Sequence, residues 1–335
     1  MDRFKLAASA LAHAVEIITD GSVEHFTFEL HGPADDPNKS FATLRYRKPN
    51  TPPVELPLFI KKCVWQNRSE AIDYRYLSAA GIPTPHLYAA ILNPDGDEIL
   101  FLEHLTAIGF NDQSETEWRQ MLTLLARFNA CPVTPAYAEH LYPYEQGAQL
   151  DAHTWYTGLD PDFDRARTET DLLAAGADFA CLPSLLETVA DLFAQIDAQP
   201  RGLLHQDFHR ENIGWHGDRA ELVVFDLHKN ALGPRFADVA SYLGTPDWTK
   251  RAPFLDTPIN GGTTRRDLLI QHFLHEYALF GGDSITPETF RAETSVLLWA
   301  HKIKSLSLLH ERQQYPQIHT VLEYCQHPNL WAGAP

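Results

Sequence analysis

Residues 204–212, Leu-His-Gln-Asp-Phe-His-Arg-Glu-Asn, decide the fold together with the apolar run 222–225, Leu-Val-Val-Phe, that precedes Asp226. A turn at Gly217 separates the two stretches, so pairing across it is predicted to bring Asp226 beside Asp207 and Asn212. Two carboxylates and an amide supply oxygen ligands for Mg²⁺ and a base near an acceptor hydroxyl. Phosphoryl transfer needs little more from a protein than these groups and positioning.

The same stretch resembles the aminoglycoside phosphotransferase and choline kinase superfamily, protein-kinase-like enzymes that phosphorylate small molecules. The family's H-x-D-x-x-x-x-N loop is matched by His205, Asp207, His209 and Asn212. The resemblance implies that Asp207 is the catalytic residue and that Asn212 and Asp226 bind Mg²⁺. It also implies that Asp238, in Ala-Asp-Val-Ala at 237–240, supports the catalytic loop.

Matches to the nucleotide-binding half of that family lie earlier in the chain. Leu-Phe-Ile-Lys at 58–61 resembles the third strand, whose lysine, here Lys61, holds the phosphates of ATP. Glu70 precedes Gly81-Ile-Pro-Thr-Pro as the acid of the family's helix, the partner of that lysine. Phe-Leu-Glu-His-Leu at 101–105 resembles the hinge, so Glu103 and Leu105 are expected to bind the adenine through their backbone.

Two of these assignments have competing interpretations. Lys62 is an alternative to Lys61, and strand alternation directs one of them into the cleft. Glu70 also stands three residues after Asn67, so a helix-capping box is an alternative interpretation. His228 stands two residues after Asp226, where many members of the family carry a second acid, and this leaves the metal one carboxylate fewer.

Hydrophobic periodicity predicts a sheet-rich first part and a helical second part. Period-two alternation predicts a meander of three strands and a following hairpin whose tip is Asn-Pro-Asp-Gly at 93–96. Helical spacing predicts four helices. The predicted strands span 24–30, 41–47, 56–62, 87–92 and 99–104, and the predicted helices span 68–80, 115–130, 266–280 and 287–309.

These patterns together predict an α+β, bilobal, protein-kinase-like fold. A chain of 335 residues corresponds to about two domains. We expect residues 1–103 to form a small nucleotide-binding lobe with an antiparallel sheet and one helix. Residues 104–335 are expected to form a larger helical lobe that holds the catalytic loop and the acceptor site.

Charge and composition exclude several classes of protein. With 27 basic and 44 acidic residues the net charge is −17, which disfavours general nucleic-acid binding because no phosphate counterions would be released. No apolar run is long enough to span a membrane, and the four cysteines form no C-x-x-C pair. We therefore expect a cytoplasmic enzyme without a nucleic-acid or membrane partner.

The sequence says least about the acceptor, the molecule that would receive the phosphoryl group. Residues 104–335 hold 17 basic and 30 acidic residues, and the acids are dense between 151 and 178. The negative electrostatic potential of these acids favours a neutral or cationic small molecule as acceptor, such as an amino alcohol, a sugar or an antibiotic. Two alternative functions remain: an inactive kinase-like nucleotide-binding module, suggested by His228, and a metal hydrolase that uses His205, Asp207 and His209.

Overall fold

The computed structural model describes residues 6–33, 36–63, 68–142, 144, 194–217, 221–243 and 252–298. It confirms the α+β fold class, with an antiparallel sheet in the first part of the chain and helices in the later part. Among the described residues, no helix is both long and apolar enough to cross a membrane.

A five-stranded antiparallel sheet occupies the first part of the chain. Its order is β1-β2-β3-β5-β4, so the predicted meander and hairpin share one sheet through the pairing of β3 with β5. Gly96 turns the hairpin tip with φ near +90°, a conformation that glycine adopts without a steric penalty. The strands are β1 (His25–Pro33), β2 (Lys39–Arg47), β3 (Val54–Cys63), β4 (Leu87–Leu92) and β5 (Glu98–Glu103).

Two helices accompany this sheet. Helix α1 (Ala8–Thr19) contributes small buried side chains, including Ala10 and Ala14, to a hydrophobic core that it shares with the strands of the sheet. Helix α2 (Glu70–Ala79) ends two residues before Gly81, whose φ of +75° is the left-handed conformation that commonly follows the end of a helix. Burial of these apolar faces, at roughly 25 cal/mol per Å², supplies most of the free energy that holds the helices on the sheet.

The later part of the chain is mainly helical. Of the four predicted helices, those at 68–80, 115–130 and 266–280 are described over most of their length, and the one at 287–309 is described from 287 to 298. Trp118 and Phe128 of α3, together with Phe236 and Phe273, form its aromatic core. The helices are α3 (Glu115–Asn129), α4 (Pro135–His140), α5 (Ala237–Leu243), α6 (Ala252–Leu255), α7 (Arg265–Leu279) and α8 (287–298).

Short strands lie between the helices, and two of them, β7 and β9, precede the segments that contain Asp207 and Asp226. The hairpin of β8 and β9 confirms the pairing predicted across Gly217. Strands β7 and β10 form a separate antiparallel pair. These strands are β6 (Ala107–Ile108), β7 (Arg201–Leu204), β8 (Ile213–Trp215), β9 (Leu222–Val224), β10 (Ala231–Pro234), β11 (Pro258–Asn260) and β12 (Thr263–Thr264).

By internal packing the chain divides into two compact units. The first, the sheet unit, comprises residues 1–110 and 208–230, and the second, the helical unit, comprises residues 111–207 and 231–335. The assignment of residues 1–103 and 104–335 as functional lobes stays a prediction. The acidic stretch 151–178, Asn67 and the final residues 299–309 of the last predicted helix lie outside the described residues.

Candidate active site

The sheet unit contains a cavity of about 340 Å³ at the ends of β2, β3 and β5. Most of its surface is apolar, and one part of its wall carries charged groups. Such a combination suits a ligand with a flat apolar ring and an anionic part. The lining residues are Lys39, Phe41, Phe59, Lys61, Tyr74, Pro85, Leu102, Glu103, His104, Leu105, Thr106, Ala107, Ile108, Glu211, Phe225 and Asp226.

Lys61 lies on the cavity wall and is 8% exposed. Its Nζ is 2.6 Å from Glu70 Oε2 and 2.5 Å from Asp226 Oδ1. Burial alone would lower the pKa of Lys61, but these two carboxylates outweigh burial and raise it. Lys62 instead pairs with Asp95 and Asp97, because alternation along β3 directs it away from the cavity.

Glu70 is the first residue of α2, directly after the N-cap residue Ser69. Its carboxylate contacts Lys61, Cys63 and Leu227, all outside its own helix, and the side chain is almost fully buried. One oxygen pairs with Lys61, and the other accepts the backbone N–H of Leu227 at 2.9 Å. Glu70 therefore ties β3 to the segment that carries Asp226.

Asp226 follows β9 in a left-handed conformation, with φ of +63° and ψ of +56°. Backbones of this kind in residues other than glycine are strained and cluster at functional sites. Its carboxylate faces two lysines and a histidine: Lys61, His228 Nδ1 at 2.8 Å and Lys39 Nζ at 3.6 Å. Burial would raise the pKa of Asp226, but the His228 hydrogen bond and the Lys61 charge outweigh it, so the pKa lies well below its usual range.

The residues around Asp226 fit a hard divalent cation. Asn212 is buried, and its backbone oxygen accepts the N–H of Phe225 at 3.0 Å, which places it next to Asp226 in the hairpin of β8 and β9. An ionised carboxylate and an amide are suitable oxygen ligands for Mg²⁺. Glu70, Asp226 and His228 also bring possible ligand atoms within 4.8 Å of one another. His228 thus adds a nitrogen donor where the family pattern has an acid.

Glu103 and Leu105 lie in the segment predicted to be the hinge, at and just after the end of β5. The backbone N–H of Glu103 donates to His86, and its side chain accepts from His86 N–H and contacts His216 Nδ1 at 2.7 Å. A Cβ added to Gly214 would lie 2.5 Å from the side chain of Leu105, so glycine permits β8 to approach the hinge closely. Both predicted hinge residues line the cavity.

Asp207 lies in the helical unit, in the loop after β7. The loop is supported by Asp238, whose carboxylate accepts the N–H groups of His205 at 2.7 Å and Gln206 at 3.1 Å. Gln206 adopts a left-handed conformation with φ of +61°. Two charge-assisted hydrogen bonds on consecutive amides thus fix the backbone that presents Asp207.

The pKa of Asp238 provides a test of this support. Burial raises that pKa to about 6, although the hydrogen bonds from His205 and Gln206 oppose the rise. Between about pH 4 and pH 6 the folded state then binds more protons than the unfolded chain, so the free energy of unfolding falls as the pH rises. Relative to Asp238→Asn, wild type should lose about 2 kcal/mol of unfolding free energy between pH 4 and pH 6.

Urea unfolding of both proteins at several pH values measures this difference. All other titrating groups are common to the two proteins, so the difference isolates Asp238. The raised pKa of Asp238 sets the window from about pH 4 to about pH 6. If the unfolding free energies of the two proteins differ by the same amount throughout this window, Asp238 does not bind a proton in the folded state.

The structure therefore brings Lys61, Glu70, Glu103, Leu105, Asn212 and Asp226 together in the sheet unit, while Asp207 belongs to the helical unit. Their functional roles stay predictions. Three residues with contacts at this site were missed from sequence: Lys39, His216 and Arg68. Arg68 donates to the carbonyl of His228 and binds both oxygens of Asp73 at 2.8 Å, yet a lone arginine before a helix carries no signal of such a role.

His205 and His209 have local structural roles. His205 is fully buried, with its ring 6.1 Å from that of Phe128. His209 accepts the N–H of Glu211 through Nδ1, and its Nε2 lies 3.1 Å from the amide nitrogen of Asn212. Within the described ranges, the potential metal-ligand cluster consists of Glu70, Asp226 and His228. Neither His205 nor His209 belongs to it.

A comparison with models of protein families matches residues 66–277, well over half of the chain, to the phosphotransferase enzyme family. The chain belongs to this phosphotransferase family. The matched range contains Glu70, the hinge, the loop of Asp207 and the segment of Asp226. The resemblance inferred from the sequence is thereby confirmed.

Solved structures of the phosphotransferase family and its kinase relatives share the fold. A spectinomycin phosphotransferase in complex with ADP and spectinomycin matches with a TM-score of 0.52 at 15% identity, over 97% of this chain and 96% of that one. An ethanolamine kinase from Plasmodium vivax matches with a TM-score of 0.53 at 10% identity, over 96% and 89%. No curated protein matches the sequence significantly.

Proposed function

We propose that this phosphotransferase-family protein transfers a phosphoryl group from Mg²⁺-bound ATP to a hydroxyl of a small neutral or cationic molecule. The observation that carries the proposal is the group of Lys61, Glu70 and Asp226 on the wall of a largely apolar cavity. Phosphoryl transfer depends mainly on positioning and on charge stabilisation, and this group supplies both. The ADP complex of the spectinomycin enzyme, a protein of the same fold, supports a nucleotide in the cavity.

Each residue then has a defined task. Lys61 binds the α- and β-phosphates, and Glu70 holds the lysine in place. Glu103 and Leu105 bind the adenine through their backbone, and Asn212 and Asp226 provide oxygen ligands to Mg²⁺. The metal, when bound, neutralises charge on the phosphates. Asp207 orients the acceptor hydroxyl and accepts its proton.

The acceptor is proposed from charge and from the relatives together. Spectinomycin and ethanolamine are named in the matched enzymes. The net charge of −17 favours acceptors that are neutral or cationic. Amino alcohols, sugars and aminoglycoside-like antibiotics meet this requirement. We propose the cytoplasm, which supplies ATP and keeps thiols such as Cys63 and Cys131 reduced, as the compartment.

An ATP-consumption screen over a panel of hydroxyl compounds tests the proposed function. We expect acceptor-dependent ADP release with at least one cationic or neutral compound, and phosphate on the acceptor detected by mass spectrometry. An inactive nucleotide-binding module would instead bind ATP, with thermal stabilisation, and release no ADP with any acceptor. Failure to bind any nucleotide would remove both functions.

His228 affects the metal affinity in a measurable way. Replacing His228 with Asp adds a second carboxylate beside Asp226, so Mg²⁺ should bind about tenfold more tightly, an effect of the size that neighbours of metal ligands have. The measurement is the Mg²⁺ concentration at half-maximal ATP binding. His228→Asn removes the imidazole without adding charge and serves as the control; equal Mg²⁺ dependence in His228→Asp and His228→Asn would contradict the prediction.

A further inference from the structure

The sequence that joins β1 to β2 is poor in the residues with which a backbone binds phosphate. Loops that cradle phosphates use several free N–H groups, usually from glycines. Residues 30–39 read Leu-His-Gly-Pro-Ala-Asp-Asp-Pro-Asn-Lys, with one glycine, two prolines and two acids. Proline has no N–H, and adjacent carboxylates repel an anion. A nucleotide near this turn must therefore find its positive charge elsewhere.

The described amides at the end of the turn are already engaged. The N–H of Asn38 donates to Asp36 Oδ1 at 2.9 Å, and the N–H of Lys39 donates to the carbonyl of Asp36 at 3.1 Å. These two bonds close the turn upon itself. Neither amide is available to a phosphate without opening it.

The side chain of Lys39 supplies the missing charge. Lys39 is the first residue of β2 and pairs across the ladder with Lys61 of β3. Both lysines line the cavity, and Lys39 Nζ lies 3.6 Å from Asp226 Oδ2 while Lys61 Nζ lies 2.5 Å from Oδ1. Two cations thus flank one carboxylate at the charged part of the cavity wall.

The surroundings of the two lysines differ. Lys61 is buried between two carboxylates, so its position is fixed. The Lys39 side chain is 31% exposed and meets Asp36 and Asp226 at 3.7 and 3.6 Å, distances longer than those of a close ion pair. A lysine on a flexible stem acts as a movable point charge and can follow an anion.

We propose that Lys39 binds the terminal phosphates of the nucleotide, in place of the backbone amides of a glycine-rich loop. The inference rests on the proposed function, because it assumes a nucleoside triphosphate in the cavity. It adds a residue that determines affinity for the triphosphate over the monophosphate. Lys61 remains the ligand of the inner phosphates.

Calorimetric titration with AMP, ADP and a non-hydrolysable ATP analogue, each with Mg²⁺, tests the assignment on the full chain. In Lys39→Gln the affinity for the ATP analogue should fall by about ten- to a hundredfold, the effect of losing one charged hydrogen bond. The affinity for AMP should stay within about twofold of wild type. Lys39→Arg, which keeps the charge, should recover most of the ATP affinity.

Lys62→Gln is the matched control, because Lys62 neighbours Lys61 on the same strand but pairs with Asp95 and Asp97. It should bind all three nucleotides like wild type. An unchanged ratio of ATP to AMP affinity in Lys39→Gln would overturn the assignment. An equal loss for all three nucleotides would also overturn it, since that pattern reports damage to the cavity. A wild-type protein that binds no nucleotide would overturn the proposed function and this inference together.

Discussion

Asp207→Asn should lower kcat for phosphoryl transfer by about a thousandfold, within the range that positioned general bases contribute. Asparagine has nearly the shape of aspartate but cannot accept the acceptor's proton. The loop itself should persist, because Asp238 holds the backbone amides of His205 and Gln206, neither of which the substitution alters. Steady-state kinetics with the acceptor found in the screen measures the effect.

Nucleotide binding separates this catalytic role from a structural one. The cavity proposed to bind the nucleotide is lined by residues of the sheet unit and not by Asp207, so the affinity for ATP should change by less than about threefold. Asp197→Asn is the matched control, since Asp197 is an exposed acid of the same unit that pairs with Arg201. A kcat of Asp207→Asn within a few-fold of the control would refute the assignment.

Lys61→Met should have the second large effect, on stability and on nucleotide binding together. Removing the ammonium leaves Glu70 and Asp226 without their shared cation, and breaking a buried pair in this way costs about 3–5 kcal/mol. The phosphates of ATP lose their principal cation at the same time. Urea unfolding and calorimetry with ATP measure the two effects on one preparation.

A second variant distinguishes phosphate binding from a merely structural role. The double substitution Lys61→Met/Glu70→Gln also removes the buried negative charge of Glu70, while the introduced amide keeps an oxygen to accept the N–H of Leu227. Much of the lost stability should return, and ATP affinity should not. Recovery of both would show that Lys61 only balances charge. Lys62→Met, which disrupts a more exposed pair on the same strand, should cost at most about 1 kcal/mol.

Much of the fold was predictable because local patterns and tertiary packing agree. Phe41 to Arg47 alternates with period two, and it forms β2 with alternate residues buried over part of its length. The helix predicted over 68–80 is observed as α2, which ends at Ala79. The loop of Asp207 and the hairpin that ends at Asp226 were evident from spacing, since a short turn leaves few ways for two strands to pair.

Long-range contacts of single polar residues were not predictable. Lys39 stands in a turn-rich segment like any surface lysine, and its position beside Asp226 arises from the register of β2 against β3. His216 contacts Glu103 through the placement of the β8–β9 hairpin against the hinge. Residues 208–230 pack with the sheet unit, although their position in the sequence suggested the later domain. Neither propensity nor periodicity encodes which distant partner a loop finds.

The discontinuity of the sheet unit has a consequence for biosynthesis. Its strands leave the ribosome early, but residues 208–230, which belong to the same unit, emerge after most of the intervening chain. Until then Lys61 lacks Asp226, and Glu70 lacks the amide of Leu227. A ribosome that stops before residue 230 releases a sheet with an unfinished buried ion pair, the kind of partly folded species that chaperones retain.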